Sequence, residues 1–133
     1  MGRCVLDTSV IIALEKGHLT WESITGDYEE SSVPAIAVAE YLVGLQRTKN
    51  PKLREVITLT LQTIEELSTL LEFGYREAKA FAILKAEAIG SGIGRTDFDL
   101  AMAAHAMVED AILVTRDKNA RLSELTGVVT REV

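Results

Sequence analysis

Residues 4–14, CVLDTSVIIAL, contain the pattern that decides the fold. The apolar run 4–6 has the character of a short strand and ends at Asp7, an acidic residue. After Asp7, apolar side chains recur at helical spacing, at Val10, Ile11 and Leu14. The stretch therefore predicts a strand that passes directly into a helix, with a carboxylate at the junction.

The rest of the chain alternates helical patterns with short apolar runs. Helices are expected over 35–47, from Pro51 onward, from 75 to Gly90, over 96–109 and, more briefly, within 18–30 and near 121–125. Further strands are expected at 63–68, 111–115 and 128–131. The uncharged run AILVT at 111–115 is typical of a strand buried on both faces of a parallel sheet. This order predicts a three-layer α/β fold with a central, mainly parallel sheet of about four to five strands.

The composition is that of an ordinary globular protein. The 133 residues carry 14 Lys and Arg against 20 Asp and Glu, a net charge of −6, and 47% of them are hydrophobic. The length predicts a single domain over 1–133. Cys4 is the only cysteine, which excludes an intrachain disulfide and a cysteine-based zinc site. Because the sequence has no membrane-spanning apolar run and no secretory signal, we expect a cytoplasmic protein away from the membrane.

Two acidic residues follow predicted strands. Asp7 closes the first strand, and Asp117 comes two residues after the run that ends at Thr115. In open parallel sheets, ligands bind beyond the carboxyl ends of the strands, so Asp7 and Asp117 mark a candidate site. A hydroxyl at Ser9 or Thr115 would orient a neighbouring carboxylate. Capping of the following helix is an equally good role for Ser9.

Two further carboxylates lie on apolar faces of predicted helices. Glu40 has apolar neighbours one turn away on either side, so it either reaches water at the edge of the stripe or belongs to a polar site. Asp99 shares a face with apolar residues near the start of its helix. It also has the spacing of a capping box with Thr96, and Asp97 competes as the N-cap. Capping and a functional role therefore both stay open for this pair.

One set of carboxylates is more informative than any single member: Asp7, Glu40, Asp99 and Asp117. Carboxylates that converge at one place repel one another unless cations intervene. Mg²⁺ and Mn²⁺ take oxygen ligands, and two such ions about 4 Å apart would activate a water and stabilise the leaving oxygen in phosphodiester hydrolysis. Bound cations would also compensate for an acidic net charge that disfavours nucleic acid. His18 and His105 lack metal-ligand spacing, and we expect His105 at the surface or edge of its helix, with no chemical role.

Four segments carry a family resemblance: LDTSVIIAL at 6–14, AEYLVGL at 39–45, DLAMAAHA at 99–106 and LVTRD at 113–117. In this order they resemble the PIN-domain ribonucleases and, among these, the VapC-type toxins of prokaryotic toxin–antitoxin pairs. The resemblance implies a central parallel sheet flanked by helices, and an acidic Mg²⁺- or Mn²⁺-dependent site that cuts RNA. Carried over by motif, the acids of that site are Asp7, Glu40, Asp99 and Asp117.

The same resemblance implies accessory residues and partners. Ser9 and Thr115 match polar positions of the first and last motifs, and Asp97 is an additional acid two residues before Asp99. The implied partners are an RNA substrate, a second copy of the chain in a homodimer, and a small antitoxin protein of VapB type. A basic antitoxin segment suits the net charge of −6. The apolar helices over 53–71 and 78–89 would supply these interfaces or ordinary core.

Three other functions stay open. A PIN nuclease of RNA processing or decay would have the same acids without an antitoxin. A receiver-type phosphoacceptor domain has a similar size and element order, but it needs an early acidic pair and a mid-chain Asp at a strand end, and neither is evident here. A PIN fold used only for binding is disfavoured because all four acids of the motif set are present.

Overall fold

The computed structural model describes residues 2–133, in which a sheet of five strands is parallel throughout. The strands are β1 (Arg3–Leu6), β2 (Glu30–Pro34), β3 (Thr69–Leu71), β4 (Ile112–Thr115) and β5 (Thr130–Glu132). Their order across the sheet is β3-β2-β1-β4-β5. The central strand β1 is fully buried from Cys4 to Leu6, as expected for a strand with helices on both faces.

Helices flank this sheet. Within residues 2–133 they are α1 (Thr8–Glu15), α2 (Trp21–Thr25), α3 (Ala35–Arg47), α4 (Pro51–Leu67), α5 (Tyr75–Ile89) and α6 (Asp97–Glu109), and a short 3₁₀ turn occupies Leu122–Glu124. Helix α6 contacts β1, β4 and α5, and every side chain from Leu100 to Ala106 is buried. The α/β architecture expected from the sequence is confirmed. In the described part of the chain, no helix combines the length and the apolar character needed to span a membrane.

The strand order reverses between β1 and β4. Strands β2 and β3 lie on one side of β1, whereas β4 and β5 lie on the other. Leu6 pairs with Val114 across this point, and the Asp7 N–H donates to the Val114 carbonyl at 3.2 Å. A crevice opens beyond the carboxyl ends of parallel strands at such a reversal. The fold therefore brings the residues that follow β1 and β4 to one place.

Part of the expected strand pattern is wrong. Residues 63–68 form no separate strand, because α4 continues to Leu67 and the next strand begins at Thr69. The helix continues since Ile57 and Ile64, two turns apart, are both buried on one face. Strand β2 carries no strand signal in the sequence, because its segment ESSVP is polar at first and ends in a proline.

His105 is buried, in contrast to the surface position expected from the sequence. Only 1% of the residue is exposed, and its ring meets Phe73 edge-on with centroids 5.7 Å apart. Burial lowers the pKa of His105, while the nearby Glu77 carboxylate acts in the opposite direction. Within residues 2–133, Nε2 has no hydrogen-bond partner. The neutral ring is therefore part of the packing between α5 and α6.

Candidate active site

A cavity of about 200 Å³ lies beyond the carboxyl ends of β1 and β4. The four acids of the predicted set line it together, with Thr8 and Ser9 as polar neighbours and Ile12, Met102 and Leu122 as apolar ones. These side chains come from α1, α3, α6 and the segment after β4, so elements far apart in sequence converge here. A larger and more open cleft of about 420 Å³ lies beside β2 and β3 and is lined by other residues.

Asp7 is the most buried of the four carboxylates, with 8% of the residue exposed. It is the N-cap of α1, and its Oδ1 accepts hydrogen bonds from the Val10 N–H at 3.2 Å and from the Ser9 hydroxyl at 2.5 Å. Desolvation raises the pKa of Asp7 above its ordinary value, although the hydrogen bonds from Ser9, Thr115 and the backbone oppose this. A buried carboxylate with a raised pKa in a cavity is typical of a functional site.

Two hydroxyl groups connect the ends of β1 and β4. The Ser9 hydroxyl donates to Asp7 and accepts the Arg116 N–H at 2.9 Å. The buried Thr115 hydroxyl accepts the Asp117 N–H at 2.9 Å and also lowers the pKa of Asp7 by hydrogen bonding. Since Asp7 itself caps α1, Ser9 acts on the carboxylate of Asp7 instead of on the helix end. Both hydroxyls therefore hold the cavity's acids in position.

Glu40 reaches the cavity from α3, where it is half-buried. The Thr8 hydroxyl donates to Glu40 Oε1 at 2.6 Å, across 32 residues of sequence. This contact orients the Glu40 carboxylate and fixes α3 to the start of α1. Sequence reasoning missed this role of Thr8. The available signal was its position beside Asp7, at the end of the strand.

The two candidate acids of α6 are separated by the structure. Asp99 lines the cavity and also forms the capping box with Thr96, whose N–H donates to Asp99 Oδ2 at 3.0 Å. Thr96, and not Asp97, is the N-cap. The Asp97 side chain is 71% exposed, pairs with Lys85 at 2.9 Å and is not part of the cavity wall. Capping and a place in the cavity are therefore combined in Asp99, and Asp97 has neither.

Asp117 lies in a tight turn after β4. Its Oδ1 accepts the N–H groups of Asn119 at 2.9 Å and Ala120 at 3.2 Å. A side chain that bonds to its own downstream backbone in this way holds the turn and its own rotamer together. The turn thus presents Asp117 to the cavity beside Asp7.

The donor chemistry of the cavity fits a hard divalent cation. Three aspartates and one glutamate line it, and carboxylate oxygens are the ligands that Mg²⁺ and Mn²⁺ prefer. Within residues 2–133, no three His, Cys, Asp or Glu side chains stand close enough together to hold one ion as they are arranged. Like charges repel, so a shared cation requires rotation of these side chains toward one another. The backbone brings the four acids to one cavity, and rotation of their side chains would be needed to bring the carboxylate oxygens around one cation.

Most of the chain matches a known protein family. The family model described as PIN domain matches residues 4–126. This range contains the four cavity acids and the two hydroxyls of Ser9 and Thr115.

Two curated relatives come from Rickettsia. Ribonuclease VapC of Rickettsia bellii (strain RML369-C) is 33% identical over 78 residues, which span 59% of this chain and 58% of that protein. Ribonuclease VapC1 of Rickettsia felis (strain ATCC VR-1525 / URRWXCal2) is 28% identical over 111 residues, which span 84% of this chain and 82% of that protein.

Solved structures share the whole fold. VapBC-5 from Mycobacterium tuberculosis, a member of the VapBC family of toxin–antitoxin systems, has a TM-score of 0.83 at 26% identity, with 100% of both chains covered. VapBC2 from Rickettsia felis, bound to a DNA fragment from its promoter, has a TM-score of 0.84 at 18% identity, with 98% of both chains covered. At the lower identity the likeness is one of fold alone.

Proposed function

This chain belongs to the PIN domain family, and from that premise we propose that it is a Mg²⁺- or Mn²⁺-dependent endoribonuclease that acts as the toxin of a toxin–antitoxin pair. The observation that carries the proposal is the convergence of Asp7, Glu40, Asp99 and Asp117 in one cavity at the strand reversal. Relatives named Ribonuclease VapC support the activity, and neighbours described as VapBC support the pairing. We also propose that residues 1–133 form one domain.

In this proposal, Asp7, Asp99 and Asp117 hold the cation and Glu40 completes the acidic wall. The bound ion supplies Lewis-acid activation of water and neutralises charge on the phosphate. Hydrolysis joins the water oxygen to phosphorus, breaks one bridging P–O bond and delivers a proton to the leaving oxygen. The chain's own contribution is to hold the carboxylates, with Ser9 on Asp7 and Thr8 on Glu40.

The proposed antitoxin would cover an apolar groove between α1, α2 and α4. This groove has a volume of about 240 Å³ and is lined by Leu14, Trp21, Val56 and Leu59, of which Val56 and Leu59 are 40% and 53% exposed. Exposed apolar side chains around a groove favour an amphipathic partner helix. With a net charge of −6 on this chain, we propose a basic antitoxin segment.

A homodimer and a cytoplasmic location belong to the same proposal, because both follow from the resemblance to VapC-type toxins.

The test is cleavage of a mixed RNA pool by the purified chain in Mg²⁺, in Mn²⁺ and in EDTA. We expect wild-type cleavage to require the metal and to vanish in Asp7→Asn, a change that keeps an oxygen for capping α1. Asp97→Asn is the matched control, since this neighbouring acid is exposed and lies outside the cavity wall, and it should cleave like wild type. Cleavage by Asp7→Asn in EDTA would overturn the proposal. If the chain is a toxin, co-expression with the small basic protein encoded by a neighbouring gene should suppress its activity.

A further inference from the structure

The Arg95 side chain binds backbone and hydroxyl oxygens in the segment that follows β4. Its Nε donates to the Ala120 carbonyl at 2.7 Å, its Nη2 to the Arg121 carbonyl at 3.0 Å, and its Nη1 to the Ser91 hydroxyl at 3.1 Å. Within residues 2–133, no carboxylate pairs with Arg95 at ion-pair distance. Each of the three guanidinium nitrogens donates to an oxygen of the protein, and Arg95 does not line the acidic cavity, so the group acts as a clamp that holds two segments together.

The clamped segment is the one that holds Asp117. The Ala120 N–H donates to Asp117 Oδ1, while the Ala120 carbonyl accepts from Arg95. The backbone of Ala120 is therefore hydrogen-bonded to both the Asp117 and the Arg95 side chains. The next residue, Arg121, has a left-handed backbone with φ of 49°, a conformation that L side chains adopt at a cost. The hydrogen bond from Arg95 to the Arg121 carbonyl supports this strained turn.

The other end of the clamp is the helix that carries Asp99. Arg95 immediately precedes Thr96, the N-cap of α6, and Asp99 is bonded to Thr96 through the capping box. The Arg95 side chain therefore extends from the start of α6 and is hydrogen-bonded to the turn after β4. Asp99 and Asp117 lie on the two segments that it joins, and both line the cavity.

We propose that Arg95 is a positioning residue that sets the separation between Asp99 and Asp117. The inference rests on the proposed function, because it gives that separation its purpose as part of a metal site. The planar fork of arginine binds two carbonyl oxygens at once, which the single ammonium of lysine does not reproduce. The glycine-rich stretch GSGIGR at 90–95 then has a structural meaning, since it leads the chain to this arginine at the start of α6.

The chain offers a matched control for this clamp. On α4, Arg54 Nη1 donates to the Leu45 carbonyl at 2.6 Å and to the Thr48 carbonyl at 3.1 Å, and none of these residues lines the acidic cavity. Arg54→Ala removes the same kind of bond from the loop between α3 and α4. Comparison of Arg95→Ala, Arg95→Lys and Arg54→Ala thus separates a general loss of stability from a loss of site geometry.

The first readout is amide hydrogen exchange, which needs neither metal nor RNA. Arg95→Ala should lose protection at residues 117–122, whereas Arg54→Ala should lose it only around 45–50. The second is Mn²⁺ affinity by calorimetry, and the third is RNA cleavage. For Arg95→Ala we expect Mn²⁺ affinity and kcat to fall on the order of 10- to 100-fold, as for other residues that orient metal ligands, with KM nearly unchanged. Arg95→Lys should recover these values only in part.

Unchanged exchange at 117–122 in Arg95→Ala would overturn the inference, whatever the wild type does with RNA. Unchanged Mn²⁺ affinity and kcat, with a fall in Tm like that of Arg54→Ala, would also overturn it by leaving Arg95 a purely structural role. Wild-type Mn²⁺ affinity and kcat in Arg95→Lys would contradict the claim that a planar guanidinium must bind both carbonyl oxygens. A wild type that neither binds Mn²⁺ nor cleaves RNA would instead refute the proposed function, and the exchange data would still decide whether Arg95 holds the turn.

Discussion

Ser9→Ala is the change that most directly tests how the buried Asp7 carboxylate is held. The substitution removes a hydroxyl that donates to Asp7 Oδ1 at 2.5 Å and accepts the Arg116 N–H at 2.9 Å. A hydrogen bond to a charged group contributes about 1.5–3 kcal/mol. The Arg116 N–H belongs to an exposed residue and can bind water instead, so its loss adds little. We therefore expect a loss of about 2 kcal/mol in the free energy of unfolding at neutral pH.

That loss is measurable by thermal or urea unfolding. For 133 residues the entropy of unfolding is about 280 cal/mol/K near 60 °C, so about 2 kcal/mol lowers Tm by about 7 °C. The hydroxyl stabilises the ionised form of Asp7. The charge-dependent part of its contribution to stability should therefore be present at neutral pH and be lost as the pH falls through the raised pKa of folded Asp7, which leaves the smaller contribution of a neutral hydrogen bond. The difference between wild type and Ser9→Ala should shrink in acid.

A double-mutant cycle with Asp7→Asn gives the control. Asparagine keeps the acceptor but not the charge, so Ser9→Ala should cost only about 1 kcal/mol in that background. Ser9→Thr, which keeps a hydroxyl, should lie closer to wild type than Ser9→Ala. A loss below about 0.5 kcal/mol in the Ser9→Ala single variant, or an equal loss in both backgrounds, would refute the argument that a charge-assisted bond fixes Asp7.

The remaining predictions concern α6. Thr96→Ala removes the N-cap and should cost about 1 kcal/mol in urea unfolding, with slower cleavage because Asp99 loses its partner; unchanged stability and rate would contradict this. Asp99→Asn should abolish RNA cleavage while Asp97→Asn preserves it, and the reverse result would transfer the site to Asp97. Burial places the pKa of folded His105 below 6.5, so the unfolded state takes up a proton first and stability should fall as the pH drops through 6.5. His105→Phe should flatten that pH dependence, and an unaltered slope would assign it to other groups.

The parts of the fold with strong local signals could be predicted from the sequence. The junction at Asp7 combines a buried apolar run with a helical pattern, and helix 35–47 is bounded as expected. Strand β2 could not be found in the same way, because its position depends on pairing with β1 and β3 and not on its own residues. Residues 63–68 are a different case, because Ile64 and Leu67 are three residues apart and Ile64 continues the buried face that Ile57 begins, so the helical spacing of the whole α4 decides the structure there.

In the candidate site too, the residues with local sequence signals could be predicted, whereas the long-range contacts could not. The four acids could be singled out because each follows a strand or interrupts an apolar helix face. The contact from Thr8 to Glu40 spans 32 residues, and the clamp from Arg95 to Ala120 spans 25. No sequence spacing predicts either contact, so neither could be identified before the fold was known. The burial of His105 depends on the packing of α5 against α6, which the sequence of α6 alone does not specify.

The most direct test of the central claim is an anomalous diffraction map from crystals of this chain grown or soaked with Mn²⁺. We expect a Mn²⁺ peak in the cavity at the strand reversal, ligated by carboxylate oxygens of Asp7, Asp99 and Asp117 that have rotated toward one another. The peak should be absent from crystals of Asp7→Asn under the same conditions. Full Mn²⁺ occupancy elsewhere with none in this cavity, or a peak that persists in Asp7→Asn, would contradict the claim that these acids form one metal centre.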